Sequence, residues 1–158
     1  MEVTDDALRA YVGARGDYYL QAWQPLRAGE AASAGVNKSA FFAGLAWLFY
    51  RKLYRPALIV LLVVFIETGI SESLFRWYGY DDPPRAYHLL AIFVYSSVIG
   101  IFGNVWYYRL TVRRIEGAAN GATPEALARL GGTSWLAVLG GLALLFVVLI
   151  ALAVVLPG

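Results

Sequence analysis

Residues 135–156 read WLAVLGGLALLFVVLIALAVVL. The run carries no charge, and as a helix rising about 1.5 Å per residue it reaches about 33 Å, enough for the ~30 Å hydrocarbon layer of a bilayer. It is apolar on every side, so it has no face to offer water. It shows no strand-like alternation, and a chain that crosses lipid as anything but a closed barrel must do so as helix. The stretch therefore predicts an all-α integral membrane protein.

Working outward, Ala86–Tyr108 is a second span, free of formal charge when His88 is neutral. Pro56–Phe75 is a third; to reach about 20 residues it must take in Glu67 and extends to Glu72. Between these two spans, residues 76–85 (RWYGYDDPPR) read as a loop closed by two prolines. Residues 109–134 read as a longer loop holding one short helix, capped by Thr123, opened by Pro124 and ended by Gly131. Ala40–Tyr50 (AFFAGLAWLFY) is apolar all round yet only about 16 Å long, too short to span. It cannot run on through Arg51, Lys52 and Arg55, each of which costs about 2.5–3.5 kcal/mol at mid-membrane. It is expected as a half-helix tucked between protein and lipid, with Arg51 and Lys52 among headgroups. Residues 1–39 are expected as a helical segment outside the membrane. Thr4, Asp5 and Asp6 start a helix with Leu8, Tyr11 and Val12 on one face, and Asp17 opens a second with Tyr19 and Trp23 four apart, limited by Pro25.

Composition agrees. The 158 residues are 59% hydrophobic and 15% charged, with mean hydropathy +0.58, against about 45–50% and about 25% in soluble domains. Cysteine is absent, which excludes disulfides, thiolate nucleophiles and Cys-ligated zinc or iron–sulfur centres; His88 is the only histidine. A net charge of +2 is too small to suggest nucleic acid as a partner. The N-terminus (MEVTDDALRA) is acidic and lacks an apolar core, which predicts no cleavable signal peptide. Arg9, Arg15, Arg27, Lys38, Arg51, Lys52 and Arg55 precede the Pro56–Phe75 span, and Arg109, Arg113, Arg114 and Arg129 follow the Ala86–Tyr108 span, whereas only Arg76 and Arg85 lie between the two. The positive-inside rule places the N-terminus and the 109–134 loop in the cytoplasm and the C-terminus outside.

The block running from Asn37 through Ala40-Phe41-Phe42 and Trp47 to Tyr50-Arg51-Lys52 and Tyr54 is distinctive. It resembles the bacterial inner-membrane family called domain of unknown function 2628, whose pattern reads roughly Asn-Trp-x-Ala-Phe-Phe, then Trp, then Tyr-Arg-Lys-x-Tyr. Tyr11-Val12-Gly13, Asp17-Tyr18-Tyr19 with Trp23, Gly103-Asn104 with Tyr107 and Arg109, and Gly131-Gly132-Thr133-Ser134 are similar as well. Lys38 stands where the family has an aromatic, and the family's proline within the block is absent. The resemblance implies a small helical protein of a bacterial inner membrane. It implies no activity, and without cysteine the zinc ribbon of some relatives does not transfer.

Several residues invite a chemical reading. Glu67 is costly inside a span, so it handles an ion or proton, sits near the outer interface, or pairs with another subunit. Glu72, Asp81, Asp82 and His88 offer oxygen and nitrogen donors on the outer face, but their spacing matches no metal motif and fits a solvated acidic loop equally. Asn104, with Ser97 seven residues earlier on the same face, must find a hydrogen-bond partner on another helix. Ser96, Gly100 and Gly103 form a small-residue stripe for close helix packing, as do Gly140 and Gly141. These are the candidate contacts for a partner subunit or for internal packing. Arg51, Lys52 and Arg55, with Arg109, Arg113 and Arg114, make two basic clusters that set topology and suit anionic headgroups such as cardiolipin. Trp47, Tyr50, Tyr54, Trp106, Tyr107, Tyr108 and Trp135 read as an interfacial aromatic belt, and nothing marks a pigment or quinone pocket. Asn37-Lys38-Ser39 fits a glycosylation pattern but falls on the cytoplasmic side.

Three functions remain in view. The first is a non-enzymatic structural or accessory subunit of a larger membrane complex, an energy-transducing one being a candidate, or a homo-oligomer. The second is a small oligomeric channel or transporter built around Glu67. The third is a membrane enzyme using the outer carboxylates and His88. The sequence favours the first, because it offers no nucleophile–base pair, metal motif or phosphate loop, and no cofactor is expected.

Overall fold

A computed structural model describes residues 3–30, 34–118 and 122–155, and every regular element in them is helical. The helices are α1 (Asp5–Val12), α2 (Gly16–Arg27), α3 (Lys38–Tyr50), α4 (Tyr54–Trp77), α5 (Arg85–Gly117), α6 (Pro124–Leu130) and α7 (Trp135–Val155). Three of the described helical stretches are long and apolar enough to cross a membrane.

Local chemistry sets the starts of the short helices. The Thr4 hydroxyl accepts the Ala7 N–H (3.3 Å), with Asp5 and Asp6 in the first turn of α1, and Thr123 caps α6 the same way through Ala126. α1 buries Leu8, Tyr11 and Val12, and α2 buries Tyr19 and Trp23. Arg9–Asp17 and Arg27–Asp5 ion pairs link the two helices across their exposed side. Pro25 does not end α2, which runs on to Arg27; the backbone group freed by the missing N–H is that of Gln21, on the exposed side.

α3 is the hub. It packs against α5, α7 and α4, whereas α1 packs against α6, α2 and α5. Its 13 residues are broken at Gly44 (φ 50°, ψ −124°), a conformation that only glycine adopts at low cost. The break turns Trp47, Leu48 and Phe49 inward, while Phe42 before it stays 84% exposed.

The long helices differ from expectation at their ends. α5 continues nine residues past Tyr108, carrying Arg109, Arg113 and Arg114 on helix rather than loop. Charge ends an apolar run without ending a helix. Here the extra turns bury Thr111 and half-bury Ile115, and the Arg114 guanidinium donates to the Tyr11 hydroxyl (3.0 Å). α4 has 24 residues and α5 has 33. The two meet at their linked ends, where the Phe75 and Tyr87 rings lie 5.3 Å apart, so α5 overshoots the start of α4 by about 13 Å. The packed core gathers at that overshooting end, drawing Ala57 from α4 and Ile99, Val105 and Tyr107 from α5.

The α3–α7 contact depends on one glycine. A Cβ on Gly141 would lie 2.7 Å from the Phe49 ring, whereas one on Gly140 would meet nothing within 4 Å. Within the chain, Gly141 makes the contact, whereas Gly140, also expected as a packing residue, faces outward. Gly141→Leu should cost about 1–3 kcal/mol by overpacking and Gly140→Leu under about 0.5. Thermal unfolding in mild detergent, followed by tryptophan fluorescence, checks the pair.

Candidate functional site

The core is pinned by two buried asparagines. Asn37 caps α3, its side-chain oxygen accepting the Ala40 N–H (2.9 Å), and its amide donates to the Asn104 side-chain oxygen on α5 (2.8 Å). The Asn37 backbone N–H donates to Gly100 O (2.8 Å). The Asn104 amide in turn donates to Ala34 O (3.0 Å), and Trp23 Nε1 donates to Asn104 O (3.0 Å). Asn37 and Asn104 are 2% and 1% exposed. The glycine stripe beside them is occupied as well: a Cβ on Gly100 would lie 2.9 Å from Phe41, and one on Gly103 would lie 3.1 Å from the Trp47 ring. Asn104, Gly100 and Gly103 are thus spent on α3 and the N-terminal segment, and they present no open face to a second subunit. Ser96, at the far end of the stripe, is only half-buried.

Arg51 follows the same inward direction. Expected among headgroups, it is instead 4% exposed, its guanidinium 4.7 Å from the Tyr19 ring centroid, 5.1 Å from Tyr107 and 5.9 Å from Tyr50. It reaches Val12 O and the Tyr107 hydroxyl only at 3.5 and 3.4 Å, its Nε has no partner, and no carboxylate pairs with it among the described residues. Ring faces therefore stand in for an anion; a desolvated cation–π contact is worth about 2 kcal/mol or more. Trp23 and Trp47 close around the same rings, with centroids 5.4 and 6.2 Å from Tyr107. Much of the expected aromatic belt is this cluster: Trp47 and Tyr107 are core, and Tyr54 and Trp135 stay exposed.

Glu67 lies past the middle of α4, toward the end that is linked to α5. One carboxylate oxygen accepts the Tyr87 hydroxyl and the other the Tyr95 hydroxyl (3.1 Å), so both are held by α5. Glu72, Asp81, Asp82 and His88 are exposed, and among the described residues no three such side chains gather into a group fit to hold a metal.

The remaining cations do converge. Lys52, Arg55, Arg109, Arg113 and Arg114 line a cleft of about 910 Å³ between the start of α4 and the later turns of α5, over a floor that includes Leu53, Ile59, Val60, Trp106 and Leu110. Lys52, Arg113 and Arg114 also border a second hollow of about 780 Å³ that reaches Arg129. Lys52 adopts φ 57° and donates through Nζ to Gly131 O (2.5 Å), and Arg114 also donates to Lys52 O (3.4 Å). Arg55, Arg109 and Arg113 pair with no carboxylate among the described residues.

Sequence reasoning did not find Asn37 as the partner of Asn104, nor Tyr19, Tyr50 and Tyr107 as the cage around Arg51. The N-cap signal of Asn37 ahead of an apolar run was available. Its pairing with a residue 67 positions away was not.

The geometry is that of an all-helical protein with three helices long and apolar enough to cross a membrane, joined at one end by a polar and aromatic core. The chain belongs to a family described as protein of unknown function (DUF2628), whose family model matches residues 13–114. That match takes in both asparagines, Arg51 and the cations of α5 up to Arg114, and leaves out α6 and α7. No curated protein and no solved structure matches the chain.

Two outcomes follow. Asn104→Leu should strand the Asn37 amide and Ala34 O, costing roughly 2–5 kcal/mol of stability in the same unfolding assay. Burial pushes the Tyr19 hydroxyl above the ordinary tyrosine value of 10.0, against the opposing pull of Arg51, and burial raises Tyr11 likewise against Arg114. Their contribution is complete below about pH 10 and is lost as pH rises further, because the unfolded chain gives up those protons first. The unfolding temperature should fall as pH rises above about 10, and fall less in Tyr19→Phe.

Proposed function

We propose that this chain is a non-enzymatic multi-pass protein of a bacterial inner membrane, with its N-terminus in the cytoplasm and its C-terminus outside. It works as a structural or accessory subunit, docking by the flanks of its spans on a larger membrane complex or on a second copy of itself. The observation that carries this reading is the bareness of α4: only 11% of its most apolar stretch is buried within the chain. Val63, Ile66, Ile70 and Leu74 all lie exposed at helical spacing. Helices in lipid gain stability from close packing against other helices, and α4 makes little of that contact within its own chain.

The internal use of Asn104, Gly100 and Gly103 moves the expected docking face away from those residues and onto this stripe. The alternative, a small channel or transporter working through Glu67, is less well supported, because both carboxylate oxygens are held by tyrosines. That pairing suits a pin between α4 and α5. An enzyme of the outer face has as little support, since His88 and the acidic residues near it stand apart and exposed.

Purification from native membranes in mild detergent, with mass spectrometry and light scattering, tests the proposal. A stoichiometric partner or a defined oligomer is expected. Ile66→Ala with Ile70→Ala should weaken that association while leaving the isolated chain within about 0.5 kcal/mol of its stability. Recovery of the chain alone as a monomer would remove the reading.

A further inference from the structure

We infer that the cleft between the start of α4 and the later turns of α5 is a binding site for one anionic phospholipid. The argument rests on the membrane placement proposed above and not on the partner proposed there.

The order of side chains along the two walls carries it. On α4, Arg55 comes first and Ile59 and Val60 lie about one turn further along. On α5, which runs the opposite way, Trp106 comes first, and Arg109 and Arg113 follow one and two turns later. Both walls therefore grade in the same direction, apolar toward the middle of the helices and cationic toward their packed end. A ligand that matches must be apolar at one end and anionic at the other. A free phosphate would leave Ile59, Val60, Trp106 and Leu110 uncovered, and a neutral lipid would leave the guanidinium groups without an anion.

The cationic end is built for a headgroup. Lys52 and Arg114 are held in place by Gly131 O and the Tyr11 hydroxyl, which fixes two positive charges at the rim. Arg109 and Arg113 are exposed and without a carboxylate partner among the described residues, so their donors are free to turn toward a phosphate. Among the described residues no acidic side chain lines either hollow, and the second hollow, sharing Lys52, Arg113 and Arg114 with the first, gives the headgroup room beside Arg129. The volume of the first, about 910 Å³, is within the range that takes a sizeable part of an acyl chain pair. Trp106 forms part of its floor and stacks on Phe102 at 6.0 Å, which places an intrinsic fluorophore inside the site.

The full chain is placed in phosphatidylcholine nanodiscs containing either phosphatidylglycerol or more phosphatidylcholine, with the minor lipid brominated on its acyl chains. Tryptophan quenching and native mass spectrometry are then read. Quenching by brominated phosphatidylglycerol should exceed that by brominated phosphatidylcholine, the excess should vanish in Trp106→Phe, and one phosphatidylglycerol should remain bound in the mass spectrum. Arg109→Gln with Arg113→Gln should lower its retention roughly thirtyfold at an unchanged unfolding temperature. Ile59→Trp, which keeps every charge and fills the floor, should abolish retention as well.

Selectivity that survives Ile59→Trp would overturn the inference, because the cations would then be attracting the bilayer surface at large. Displacement of the lipid by inorganic phosphate alone would overturn it in favour of a phosphate site. A co-purifying acidic polypeptide that protects Trp106 with no lipid retained would overturn it in favour of a protein ligand. Failure to enter nanodiscs counts against the membrane reading, whereas entry without anionic selectivity counts against this site alone.

Discussion

One buried amide contact, Asn37 to Asn104, fixes α3 against α5, and most of the packed end depends on it. Each asparagine has further partners: Asn37 also caps α3 and accepts Ala40 N–H, and Asn104 also holds Ala34 O and receives Trp23 through its carbonyl. A buried amide group without a partner costs about 1–3 kcal/mol, so the network stays whole only in one register. That register puts Phe41 and Trp47 over the bare backbone at Gly100 and Gly103. α7 then hangs on Phe49 through Gly141, and α4 begins immediately after the turn at the end of α3.

The turn after α3 sends two consecutive cations to opposite fates. Arg51 points among tyrosines and is buried, whereas Lys52 takes a left-handed backbone conformation and lies at the rim of the cleft. That conformation costs a non-glycine residue about 1–2 kcal/mol. It is offset by the bond from Lys52 Nζ to Gly131 and by the bond from Arg114 to Lys52 O. The same two bonds join the start of α4 to the turn after α6 and to α5, so the cleft is formed by the fold rather than by any ligand.

The large features were legible from residues. The uncharged run of α7, the caps at Thr4 and Thr123 and the shortness of α3 all follow from local pattern and length. The fine features were not, for physical reasons. Trp47 and Tyr107 look the same in a sequence whether they face an interface or a core, because both settings want an apolar ring with a polar edge. Arg51 and Arg55 are four residues apart and chemically alike, and only the turn between them decides which is buried. The glycines at 100 and 103 announced a close approach without naming what approaches. Arg109 to Arg114 read as the end of a span, although the helix beneath them goes on to Gly117.

The spacing of the amide pair also sets a timetable. Asn37 leaves the ribosome 67 residues before Asn104, and at about 5–20 residues per second that is a delay of roughly 3–13 seconds. Throughout it α3 exists without the surface it fits, its broken apolar helix too short to stand across a bilayer and its capping asparagine without an amide partner. Synthesis runs from the N-terminus, but the contact that pins α3 can close only after the hairpin of α4 and α5 has been made.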